Sequence, residues 1–213
     1  MASKAFFSSL LSDRRQRSEL CKRLTGRGGG YDFHRSLKRI CSQYSSGLIN
    51  LSQALDLAET ISRLPERRSA RSGLEAYVRW RSGTIDHQSF PQSIYESPAR
   101  RFKVTFTPDF AHRVGGRLTA AHIWNTASPP LNFRMCYLAL HFAADGYVDV
   151  VQPPQDLAVL DLRSQYLVRL SEATLTLETA HAFASRLDEL ISDVEQEIDE
   201  TGRRPDPRPT IAR

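Results

Sequence analysis

Cysteine is scarce and scattered in this chain: Cys21, Cys41 and Cys136 are the only three in 213 residues. No two of them form a Cys-x-x-Cys pair, which excludes a zinc ribbon and a thioredoxin-like redox site. Three are also too few for the disulfide framework of a small secreted domain, so a reducing, cytoplasmic setting is expected. Long apolar runs are missing as well. The densest stretch, Leu138-Ala139-Leu140 with Phe142, Ala143 and Ala144, falls far short of the roughly 20 residues of a membrane-spanning helix. The first eleven residues lack the continuous apolar segment and cleavage site of a secretory signal. Their serines and the arginines that follow resemble a transit peptide, but Asp13 and Glu19 count against one. Lysine is rare, at four residues against 25 arginines. A GC-rich bacterial genome encodes that bias by itself, so arginine abundance alone is no argument for phosphate recognition. HExxH, GxSxG and Gly-Lys-Ser/Thr motifs are absent, and no catalytic signature rises above chance.

What the chain does have is charge divided along its length. Residues 1–104 carry 19 Lys/Arg against 9 Asp/Glu, and residues 105–213 carry 10 against 15. A net charge of +5 therefore conceals a basic first half and an acidic second half, which implies two regions facing different partners.

The first half reads as helical. Residues 3–24 hold two apolar patches, at Phe6, Phe7, Leu10 and Leu11 and at Leu20, Cys21 and Leu24, separated by a polar run; Gly26–Gly30 follows as a flexible joint. Asp32 can cap a helix with Phe33, Leu37, Ile40 and Tyr44 on one face, ended by Gly47. A further helix is expected after a Ser52 cap, with Leu57, Ala58, Ile61 and Leu64 inward and Pro65 stopping it. Another runs over residues 66–81, burying Ala70, Leu74, Tyr77 and Val78. The domain organisation expected is a basic helical domain over 1–82, a linker over 83–100 that contains Pro91 and Pro98, an α+β domain over 101–200, and a disordered tail over 201–213.

From Arg101 the period changes to two. Phe102, Val104 and Phe106 alternate with polar residues as a half-buried strand. Gly115-Gly116 between Phe110–Val114 and Arg117–Asn125 is a hairpin signal. Ser128-Pro129-Pro130 is expected to open a helix carrying Leu131, Met135, Leu138 and Phe142. Strands are expected at Tyr147–Val151, Leu157–Leu162 and Gln165–Leu170, the second apolar on both faces and therefore central. The fold class is α+β: a small helical domain, then a mainly antiparallel sheet packed with two helices. The last helix, over residues 175–200, carries Leu177, Ala180, Ala184, Leu187, Ile191, Val194 and Ile198 in strict 3,4 alternation. That seam either docks on the chain's own sheet or forms an assembly interface, a homomeric coiled coil, and docking is preferred. Acidic residues cover the rest of this helix.

Two constellations bear on function. The basic cluster His34, Arg35, Lys38, Arg39, Arg67, Arg68, Arg71, Arg79 and Arg81 can engage phosphates or an acidic protein, and the acidic helix of a neighbouring copy is itself a candidate. It offers no base-reading motif. The spacing Arg-x(4–6)-His, which HEPN-type ribonucleases use on a scissile phosphate, occurs at Arg27/His34, Arg81/His87, Arg117/His122 and Arg134/His141. About two matches arise by chance in a chain this rich in arginine, so four carry no weight as a motif. Arg134 and His141 are the least poor catalytic pair because they share a helical face. No metal or cofactor site is expected. The reading is a non-catalytic binding or adaptor protein, possessing a basic helical region for an acidic partner and an α+β region that supports assembly as a homo- or hetero-oligomer. The alternative is a nuclease or nuclease subunit acting on RNA through an Arg/His pair.

Overall fold

The computed structural model describes residues 32–81, 88–127 and 130–201. The expected helix over 3–24, the glycine joint after it and residues 202–213 of the expected tail lie outside these. Three helices come first: α1 (Arg35–Ser45), α2 (Leu51–Glu59) and α3 (Leu64–Trp80). Helix α1 buries Leu37 and Ile40 of the expected face, with Cys41 beside them and Tyr44 half-buried, while Phe33 lies outside the helix and is partly exposed. Asn50, not Ser52, caps α2. Its side chain accepts from the Gln53 N–H at 3.0 Å while Gln53 Oε1 accepts from the Asn50 N–H at 2.9 Å. This reciprocal box satisfies two donors at once, which a lone Ser52 could not do. Pro65 does not stop α2; it sits in the first turn of α3, where a residue without an N–H costs no hydrogen bond.

A two-stranded ribbon follows, β1 (Ser93–Glu96) antiparallel to β2 (Lys103–Phe106). Strand β1 lies within the stretch read from sequence as linker. Ser93 is buried there and donates to the Ala143 carbonyl at 2.9 Å. The main sheet has the order β3-β4-β5-β6: β3 (Phe110–Val114), β4 (Arg117–Trp124), β5 (Asp156–Asp161) and β6 (Tyr166–Arg169). Gly115 and Gly116 turn β3 into β4 with φ of +57° and +81°, the positive values a tight hairpin of the favoured hand demands. Strands β4 and β5 are parallel, joined through α4 (Phe133–Asp145), and the other three pairings are antiparallel. The fold is α+β with a mainly antiparallel strand set.

Two expectations need correction here. Asn132 caps α4, its side chain accepting from the Met135 N–H at 3.2 Å. Tyr147–Val151 is a run of turns and not a strand: the N–H groups of Tyr147, Val148 and Val150 each return to the carbonyl three residues back. Its Tyr and Val have β propensity but pair with none of the described strands, and Val148 and Val151 face solvent. Gly146 precedes this run because β1 passes close by: a Cβ there would stand 2.9 Å from the backbone of Ile94.

The sheet is covered on both faces. Helices α1–α3 share a core with Phe110, Ala121, Ile123, Ala158 and Leu160, so chain on either side of residues 83–100 contributes to it. Leu157 and Val159 of β5 turn the other way, toward Cys136, Leu140 and Ala143 of α4. Strand β5 is thus buried on both faces, as its continuous apolar sequence implies. Helix α5 (Leu177–Thr201) lays Ala180, Ala184, Leu187 and Ile191 against Tyr95, Phe102, Met135, Leu138 and Phe142. Val194 is also buried, while Leu177 at the start of the seam is exposed and Ile198 near its end is half-buried. The seam docks inside the chain's own fold.

Asp188 on α5 is buried and ties the ribbon to this helix. It accepts from Ser97 Oγ at 2.6 Å and from the Ala99 N–H at 2.9 Å. Ser97 Oγ in turn accepts from the N–H groups of Arg101 and Phe102, each at 3.1 Å. Arg101 also pairs with Glu195 on the surface.

Candidate functional site

The basic residues of the helical layer differ in what their charges already do. Arg71 is held between Glu59 at 2.6 Å and Glu75 at 3.3 Å. Hydrogen bonds to those two carboxylates raise its pKa, so its charge is matched locally. Arg67 donates Nε to the Ile61 carbonyl at 2.8 Å. Arg81 donates to the carbonyls of Tyr44 and Ser45 and lies 5.0 Å over the Tyr44 ring, which fixes the end of α3 to the end of α1. Lys38 Nζ stands 4.0 Å from Asp32. His34 occupies the N-cap of α1, its ring edge-on to Phe33.

Arg35, Arg39, Arg68 and Arg79 remain. All four are exposed and have no carboxylate partner among the described residues. Arg35 and Arg39 are one turn apart on α1, and Arg68 and Arg79 are three turns apart on α3, each pair on the stripe opposite its helix's buried face. Of the cluster, these four combine exposure with donors that have no carboxylate partner among the described residues.

Helix α5 presents the opposite sign. Glu178, Glu189, Asp193 and Glu200 are exposed on the stripe facing away from the buried seam.

The pair Arg134/His141 is on α4. Arg134 is exposed, whereas His141 Nε2 lies 2.8 Å from the Leu175 carbonyl and so anchors the segment leading into α5. The two aspartates near histidines in sequence take other partners. Asp109 meets His122 Nδ1 at 3.0 Å and accepts the Ile123 N–H at 2.7 Å, while His112 lies against Trp80. Asp145 meets His181 Nε2 at 2.7 Å. A cleft of about 340 Å³ beside Asp109 is open to solvent and lined by Ser42, Ser45, Ser46, Phe90 and Phe110. Its polar groups are largely engaged: Ser45 Oγ bonds the Tyr77 hydroxyl, and Asp109 serves the backbone of β4 and His122. Burial pushes the Cys41 thiol well up, and burial does the same for Cys136, so neither is an activated nucleophile. Among the described residues no group of three or more His, Cys, Asp or Glu converges to hold a metal ion, and no helix is long and apolar enough to cross a membrane.

One feature was not read from the sequence. Phe133, at the first position of α4, stacks on Tyr166, at the first position of β6, with ring centroids 5.4 Å apart and planes 20° apart. Both side chains are about half exposed. Compared with known proteins, the chain matches no family model, no curated protein and no solved structure.

Proposed function

We propose that this is a non-catalytic binding or adaptor protein whose basic helical layer engages an acidic partner, nucleic acid or an acidic protein. The observation that supports this reading is the set Arg35, Arg39, Arg68 and Arg79. Exposed arginines without local counter-charges keep their long-range field and their donors for a partner. The α+β region builds the support: α3 is fixed to the sheet through its buried face, so its arginines are presented on a rigid element.

Retention on a heparin column tests it, because heparin is a generic polyanion. The variants R35E/R39E and R68E/R79E should elute at clearly lower salt than the parent. The control R117E/R186E changes net charge equally at exposed arginines elsewhere and should elute near the parent. If all three variants shift alike, only net charge matters and the helical face is not a site.

A further inference from the structure

We infer that the Phe133–Tyr166 stack is a base-stacking platform, and that the partner of this protein is single-stranded nucleic acid. The inference rests on the proposed basic face and names its partner. Two large rings held parallel at half exposure forgo burial that a packed core would have given them, in a molecule whose other clustered aromatics are mostly inside. Tyr137, one turn further along α4, packs partly into the core, and burial raises the pKa of its hydroxyl.

The turn that carries Tyr166 is hydrogen-bonded to α3. Tyr166 follows the turn Arg163-Ser164-Gln165, in which Gln165 adopts φ +55°. The Gln165 side chain donates to the Ala76 carbonyl of α3 at 3.0 Å, one turn from Arg79. Asp161 shapes the same turn by accepting from the Arg163 N–H at 3.0 Å and from Ser164 Oγ at 2.8 Å. At the end of β4, Asn125 Nδ2 reaches Ser69 Oγ of α3 at 3.2 Å. Helix α3 therefore crosses the end of the sheet at which the stack stands. Arg163 in the turn before Tyr166 and Arg134 beside Phe133 are both exposed, with no carboxylate partner among the described residues.

Ring faces discriminate between acidic partners. The face of an aromatic ring carries negative potential, so a carboxylate of an acidic peptide gains nothing by approaching it. An unpaired base has a flat π surface that stacks there, and its phosphate is a partner for the exposed arginines next to the two rings in sequence, Arg134 and Arg163. A duplex hides its bases and cannot use the platform.

Fluorescence anisotropy with a labelled single strand, as RNA and as DNA, and the corresponding duplex tests this on the full chain. Phe133→Leu and Tyr166→Leu keep apolar bulk but remove the ring, and Phe133→Tyr with Tyr166→Phe keeps both rings. Each leucine variant should bind the single strand at least about fivefold more weakly, the loss expected for one stacked base. Its salt dependence should be unchanged, and the ring-keeping variant should match the parent. R134E/R163E should instead flatten the log–log salt slope by about 0.7 for each phosphate it no longer neutralises. The inference is overturned if the leucine variants bind like the parent, if the duplex binds as tightly as the single strand, or if no single strand binds. Weaker binding by the arginine variant, with the leucine variants unaffected, would leave the basic face standing and remove the platform. A heparin shift without any nucleic-acid binding would transfer the face to an acidic protein.

Discussion

Leu187→Asp should unfold the C-terminal layer or the whole molecule. Leu187 is 6% exposed and packs among Tyr95, Phe102, Met135, Leu138 and Phe142. A carboxylate there has no cation to meet and would lose its water, at a cost of more than about 4 kcal/mol. That is a large share of the roughly 5–15 kcal/mol by which a domain is stable. Leu187→Ala, which leaves only a cavity, should cost about 2–5 kcal/mol. Denaturant unfolding followed by near-ultraviolet circular dichroism checks the order. An aspartate variant with the parent's midpoint would mean that the seam faces no core.

Asp188→Ala should be the next most damaging change, and for a different reason. Removing the carboxylate leaves the Ser97 hydroxyl and the Ala99 N–H without their acceptor at a buried junction. Charge-assisted bonds of this kind contribute about 1.5–3 kcal/mol each, and buried orphaned donors are costly in their own right. A total loss of about 2–4 kcal/mol is expected, with the ribbon β1–β2 released from α5. Hydrogen exchange should show the Arg101 and Phe102 amides, now bonded to Ser97 Oγ, losing protection before the sheet does. Unchanged protection there would show that Asp188 does not hold the ribbon.

These two neighbours on one helix also show what a sequence discloses. The seam of α5 was legible because burial on a helix follows a local period, and a strict 3,4 alternation of apolar residues has no other common cause. The hairpin β3–β4 was legible because only glycine tolerates both of its turn dihedrals comfortably. Asp188 reads as one more acid on an acidic helix, since its partners lie about ninety residues earlier. The same limit hid the parallel pairing of β4 with β5, which no local pattern encodes. Caps were misplaced by two residues at His34 and at Asn50 and by four at Asn132, because several polar residues near each helix start compete and packing selects among them.

The candidate site was half legible for related reasons. Composition and helical spacing locate Arg35, Arg39, Arg68 and Arg79 on outward stripes. They cannot tell these from Arg71, whose partner Glu59 belongs to another helix, or from Arg67, which serves a carbonyl. The stack of Phe133 on Tyr166 joins a helix start to a strand start 33 residues away, and each ring alone resembles an ordinary core residue.

The absolute mass of the purified chain, measured by light scattering with absorbance at 260 and 280 nm before and after nuclease treatment, tests the account most directly. The parent should carry mass beyond its own 24.1 kDa, with raised 260 nm absorbance, and nuclease should remove both. The R35E/R39E/R68E/R79E variant should emerge without that excess. A parent that shows protein-only absorbance and the same mass with and without nuclease, indistinguishable from the variant, would contradict the proposal that this face binds nucleic acid.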